Sequence, residues 1–89
     1  MPAYKVEFVK SAQKEFERLD AKLQLKTAEA LSLLAQNPFS ELLNVKRLKG
    51  ADNLYRIRLG DYRIVYELRN EQLIVLVIKI GHRREVYRH

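Results

Sequence analysis

Eighty-nine residues make one small domain, and an apolar fraction of 47% argues against a disordered chain. The absence of cysteine excludes a disulfide framework and a thiolate zinc site, and suits a reducing compartment. Seventeen Lys and Arg against eleven Asp and Glu leave a net charge of +6, which points to an anionic partner.

The opening Met1-Pro2-Ala3-Tyr4-Lys5 lacks the apolar stretch of a signal peptide, and the longest apolar run, Leu73 to Ile78, is far too short to cross a bilayer. We therefore expect a cytoplasmic protein. Residues 3 to 9 alternate through Tyr4-Lys5-Val6-Glu7-Phe8, which predicts a strand. Ser11 can cap a helix running to about Asp20, with Ala12, Phe16 and Leu19 inward and Lys14, Glu15, Glu17 and Arg18 exposed. A second helix follows from about Ala21 to Gln36, with Leu23, Leu31 and Leu34 inward, and Asn37-Pro38 stops it. The joint near Asp20 is weakly marked, so one bent helix is the alternative. Residues 39 to 53 read as a loop-rich connection containing Arg47-Leu48-Lys49-Gly50.

Residues 54–59 and 62–69 alternate strictly on either side of Gly60-Asp61, a pair suited to a two-residue hairpin turn. That register sets Leu59 against Tyr62, Arg58 against Arg63, Ile57 against Ile64 and Tyr55 against Tyr66. Arg56, Arg58 and Arg63 then share one face. Tyr55, Ile57, Leu59, Tyr62, Ile64 and Tyr66 share the other, where the tyrosines serve as core and not as a platform for stacked bases. Like charges directly opposite destabilise a sheet. Their juxtaposition points to use on an anion, and a phosphate backbone is the obvious one. The bland alternative is a solvated basic face, or salt bridges to Glu67, Glu71 or Glu85.

After a turn around Asn70-Glu71 comes a strand from Gln72 to Ile80, apolar on both sides and so expected centrally, covered on both faces. Gly81 breaks the alternation and a basic tail from His82 to His89 follows. The order β-α-α-β-β-β predicts one α+β domain over residues 1–89: a helical hairpin on one face of an antiparallel sheet. Six basic residues (Lys46, Arg47, Lys49, Arg56, Arg58, Arg63) lie between positions 46 and 63 against Asp52 and Asp61 alone. The charge therefore sits on strands and their edges, whereas a membrane-surface protein would carry it on an amphipathic helix. The sequence shows no catalytic carboxylate pair, Gly-rich phosphate loop, His cluster or Ser triad. We expect neither cofactor nor metal.

Four segments in order, Leu48-Lys49-Gly50, Tyr55-Arg56-Ile57-Arg58-Leu59, the run from Gly60 to Glu67, and Ile80-Gly81-His82-Arg83-Arg84-Glu85-Val86-Tyr87-Arg88, resemble the RelE/ParE superfamily of toxin–antitoxin toxins. Within it the chain looks closer to the RelE branch, which cleaves mRNA in the ribosomal A site. The ParE branch poisons gyrase. The resemblance implies a metal-independent endoribonuclease whose substrate attacks itself through its 2′-hydroxyl and leaves a 2′,3′-cyclic phosphate. It also implies a RelB-like antitoxin as partner, besides mRNA and ribosomal RNA. Position by position, it implies catalytic roles for Arg56, Arg58, Arg63 and Arg83, and a base-stacking role for Tyr87. Lys46, Arg47, Lys49, Arg84 and Arg88 would make diffuse phosphate contacts. Well-known RelE enzymes carry lysines where Arg56 and Arg58 stand, and arginine cannot give up a proton. The base must then be His82, Lys49 or Tyr87. Imidazoles titrate near neutrality, which favours His82. The rival readings are a gyrase poison and a catalytically weak relative that only binds RNA or antitoxin.

Overall fold

A computed structural model describes residues 3–50 and 52–82. The elements run β1 (Lys5–Phe8), α1 (Lys10–Glu17), α2 (Ala21–Gln36), β2 (Lys46–Arg47), β3 (Leu54–Leu59), β4 (Tyr62–Arg69) and β5 (Ile74–His82). The strands form one sheet in the order β1-β5-β4-β3-β2.

The two helices are separate, and Asp20 is the reason. Its backbone is extended, and its carboxylate accepts a hydrogen bond from the Leu23 amide at 2.9 Å, so it caps α2. Ser11 does not cap α1. That helix starts at Lys10 after Val9, which makes no side-chain cap, and the Val9 amide instead donates to the Val77 carbonyl at 3.0 Å. Tying the entry residue to the sheet fixes where α1 begins, and local propensity yields. At its far end α2 stops at Asn37, whose extended backbone is what a following proline demands.

The hairpin has the register read from the alternation, with Arg58 opposite Arg63 and Tyr55 opposite Tyr66. Gly60 takes φ +60° at the first central turn position, the role of glycine in a II′-type turn. The segment expected as loop carries a 3-10 turn at Glu41–Leu43 and the short β2, which pairs with β3 through Lys46 and Arg47.

Three sheet expectations change. β1 pairs with β5 in parallel, from Lys5 with Ile74 to Phe8 with Val77, so the sheet is mixed. β5 begins only at Ile74, because Leu73 adopts a left-handed backbone at φ +55°, and it runs on through Gly81 to His82. It also lies second from the edge, with helices on one face only among the described residues. Between β4 and β5 the register slips: Tyr66 faces Val77 but Val65 faces Lys79, leaving Ile78 as the extra residue of a bulge.

The core joins Ala12, Ala30, Leu31 and Leu34 from the helices to Ile57, Ile64, Tyr66, Val75, Val77 and Ile80 from the sheet. The helices do not reach the whole hairpin. Residues 38 to 45 cover the remainder: the Tyr66 hydroxyl donates to the Pro38 carbonyl at 3.0 Å, and the Phe39 ring meets Tyr55 edge-on at 5.3 Å. Tyr66 is fully buried, and that burial, with a smaller contribution from Tyr55, pushes its hydroxyl well above the ordinary tyrosine range.

Candidate functional site

The sheet face away from the helices carries two adjacent cross-strand rows. One row sets Lys46, Arg56, Val65 and Lys79 side by side across four strands; the next sets Arg58, Arg63 and Gly81. Opposed residues in a sheet hold their Cβ atoms about 4.5–5.5 Å apart, so the two guanidinium groups of Arg58 and Arg63 start from neighbouring stems. Gly81 puts no side chain beside Arg63 on the other flank and leaves room for its long side chain.

The three arginines differ in burial. Arg63 is 3% exposed, Arg56 is intermediate, and Arg58 is exposed and forms no ion pair among the described residues. Glu67, one of the carboxylates that could have neutralised this face, is engaged with Arg69 at 2.8 Å. Burying a guanidinium costs several kcal/mol of lost hydration, so a sheet that keeps Arg63 inside does so only where neighbouring groups compensate it.

Lys79 is also spoken for. Its ammonium pairs with Glu15 of α1, and the other oxygen of Glu15 accepts from the Ile80 amide at 3.0 Å. The helical pattern alone places Glu15 in solvent. It turns inward because β1 ends at Phe8, leaving the edge of β5 unpaired beyond Val77. A carboxylate on α1 then supplies the missing acceptor.

His82 stands apart from the arginines. Strict alternation from Val75 would place it on their face, but the bulge at Ile78 adds one residue and turns it to the helix side. There it lies opposite Tyr62, with the two rings edge to face at 5.6 Å. Tyr62 itself is only partly buried and lines two clefts, so it is less a core residue than its position in the pattern implied. One cleft, of about 220 Å3, has Glu15, Arg18 and His82 on its walls. The other, of about 440 Å3, lies between the start of α2 and the hairpin turn, lined by Leu23, Lys26 and the run from Arg58 to Tyr62. Lys26 is a neighbour that linear reading missed, since nothing in a helical pattern ties it to a hairpin over thirty positions away.

Arg47 and Lys49 line a third depression with Asp52, and Arg47 is held to Asp52 at 3.2 Å. Both partners are exposed, so the pair is weak and yields readily to a phosphate. Arg83, Arg84, Tyr87 and Arg88 lie outside the described residues.

A family model for the ParE toxin of type II toxin–antitoxin systems, parDE, matches residues 6–87. The chain belongs to the RelE/ParE superfamily of type II toxins. The mRNA interferase toxin RelE of Escherichia coli K12 is 32% identical over 89 residues, spanning 96% of this chain and 90% of the relative. The archaeal RelE–RelB complex from Pyrococcus horikoshii OT3 contains a chain similar in fold, with a TM-score of 0.81 at 28% identity, covering 91% of this chain and 96% of that one. A chain of the intact E. coli RelBE toxin–antitoxin complex gives 0.78 at 29%, covering 90% and 96%. A RelE-like toxin fold therefore presents the arginine rows on the sheet face away from α1 and α2.

Proposed function

We propose that this toxin is a ribosome-dependent endoribonuclease that cuts mRNA in the A site and is held inactive by a RelB-like antitoxin. The observation that carries this reading is the opposed pair Arg58 and Arg63, with Arg56 on the same face and Lys46 opposite it. The 2′-oxygen of the RNA attacks the adjacent phosphorus, the 5′-oxygen leaves, and a 2′,3′-cyclic phosphate remains. Negative charge grows on the equatorial phosphate oxygens, and cations fixed in advance stabilise it most. Arg58, exposed, meets the phosphate; Arg63, buried beneath, contributes its field without having to reorganise. Arginine cannot accept the proton of the 2′-hydroxyl, and His82 faces away. The proton of the 2′-hydroxyl then passes to one of the other two candidates, Lys49 or Tyr87, of which Tyr87 lies outside the described residues.

The antitoxin follows from the relatives, whose structures include RelE–RelB complexes. An acidic antitoxin segment would neutralise the same rows. Ribosome and message place the activity in the cytoplasm. Among the described residues no helix is long and apolar enough to cross a membrane.

The test is induction of the toxin in growing cells with primer extension on a reporter mRNA. Cuts within codons that vanish when translation is blocked are the expected result. The second reading, a gyrase poison, is favoured by the ParE family model. It predicts uncut message together with an SOS response, and that result would displace the nuclease.

A further inference from the structure

The 440 Å3 cleft beside the hairpin turn falls within the roughly 300–1,000 Å3 of ordinary ligand sites. Its walls combine two cations, Lys26 and Arg58, with an aromatic ring, Tyr62, and two aliphatic side chains, Leu23 and Leu59. Neither cation forms an ion pair among the described residues. Arg58 belongs both to this cleft and to the arginine rows. It can do so because β2 pairs only with Tyr55 and Arg56, so among the described residues β3 beyond them borders no further strand on that side, and Arg58 sits at the rim of the sheet.

We propose that this cleft holds a nucleotide of single-stranded RNA next to the scissile bond, with Lys26 on its phosphate, Arg58 bridging that phosphate and the scissile one, and the Tyr62 ring against the base. The assignment rests on the nuclease reading and extends it from the reacting phosphate to its neighbour. The chemistry of the lining matches: cations for the backbone, an aromatic and aliphatic surface for the flat base. Asp61, which lines the cleft beside Gly60, repels a second phosphate but accepts hydrogen bonds from the N–H groups of a base. An acidic peptide would find the cations but would gain little from the ring.

The experiment is equilibrium binding of a fluorescent single-stranded RNA hexamer, 2′-O-methylated so that it cannot be cut, to the purified toxin over a range of salt. Each phosphate held by a cation contributes about 0.7 to the slope of log affinity against log salt. Lys26→Ala, a helix-compatible surface change, should shallow that slope by about 0.7, the share of a single phosphate. Tyr62→Leu should weaken binding about tenfold with the slope unchanged, since it removes the stacking of one base and no charge. Melting curves check that both variants fold. Wild-type affinity and slope in Lys26→Ala overturn the proposal. So does a hexaglutamate peptide that displaces the RNA equally well from the wild type and from Tyr62→Leu, which would mark the cleft as a docking point for an acidic protein. The nuclease reading fails separately: wild-type toxin that binds the hexamer through Lys26 yet leaves mRNA uncut refutes cleavage and keeps the RNA site.

Discussion

Arg63 is the residue on which the proposed chemistry turns, because it combines burial with a like-charged neighbour. Arg63→Ala should lower mRNA cleavage by about 100-fold or more, the usual effect of removing one transition-state donor, read from primer-extension bands after induction. Arg63→Lys should restore part of it, since it keeps the positive charge though not the planar fork. Tyr66 tests the core in the same single-residue way. Its hydroxyl bonds the Pro38 carbonyl, so Tyr66→Phe should cost about 1 kcal/mol in denaturant unfolding at neutral pH. The pH dependence has a definite sign. Burial raises the folded-state pKa, so the unfolded chain releases this proton first, near its ordinary value of about 10. The contribution is complete below that pH and is lost as pH rises beyond it. Wild type should therefore lose stability above about pH 10 more steeply than Tyr66→Phe.

Among elements, the joins carry the information. Asp20 separates the two helices and rules out the single bent helix; Asp20→Ala should remove about 1 kcal/mol by taking away the cap of α2, seen as a lower denaturation midpoint. Glu15 closes the part of β5 that β1 leaves unpaired. Glu15→Ala should leave the Ile80 amide without its acceptor, costing about 1–3 kcal/mol, with faster hydrogen exchange at that amide as the direct readout. The bulge at Ile78 is the element-scale feature with the largest functional consequence. One extra residue exchanges the faces of the strand residues after it as far as His82 and so decides which of them meet the arginines.

For the whole molecule, the net charge of +6 is less telling than its concentration on one sheet face. Binding by three arginines to a single strand implies a salt slope of about −2, so a fourfold rise in salt should weaken RNA binding about twentyfold. A slope near zero would mean that the guanidinium rows do not touch phosphate. The helices are seated over β1 and β5; only the start of α2 comes beside the hairpin tip, and residues 38 to 45 cover the hairpin's other end at Tyr55 and Tyr66. Two clefts consequently open where the helical layer ends, and Tyr62 forms a wall of both.

The hairpin was legible in sequence because alternation is local: once Gly60-Asp61 marks the turn, every cross-strand pair from Tyr55–Tyr66 to Leu59–Tyr62 follows. The same locality explains the reach of the reading from Ala21 to Gln36, where helical spacing and a proline stop agree. What stayed hidden depends on contacts between distant segments. Periodicity assigns faces but not neighbours, so it could not say that β1 would lie parallel to β5 or that Glu15 would be drawn in to cap an edge. Nor could it register an inserted residue at Ile78, since a bulge is visible only against the strand it faces, and His82 moved across the sheet with it. The amino-acid order by itself determined which guanidinium groups share a surface; packing alone decided how deeply each is buried and that Lys26 joins Arg58 at one cleft, because burial and encounter are properties of the assembled layers.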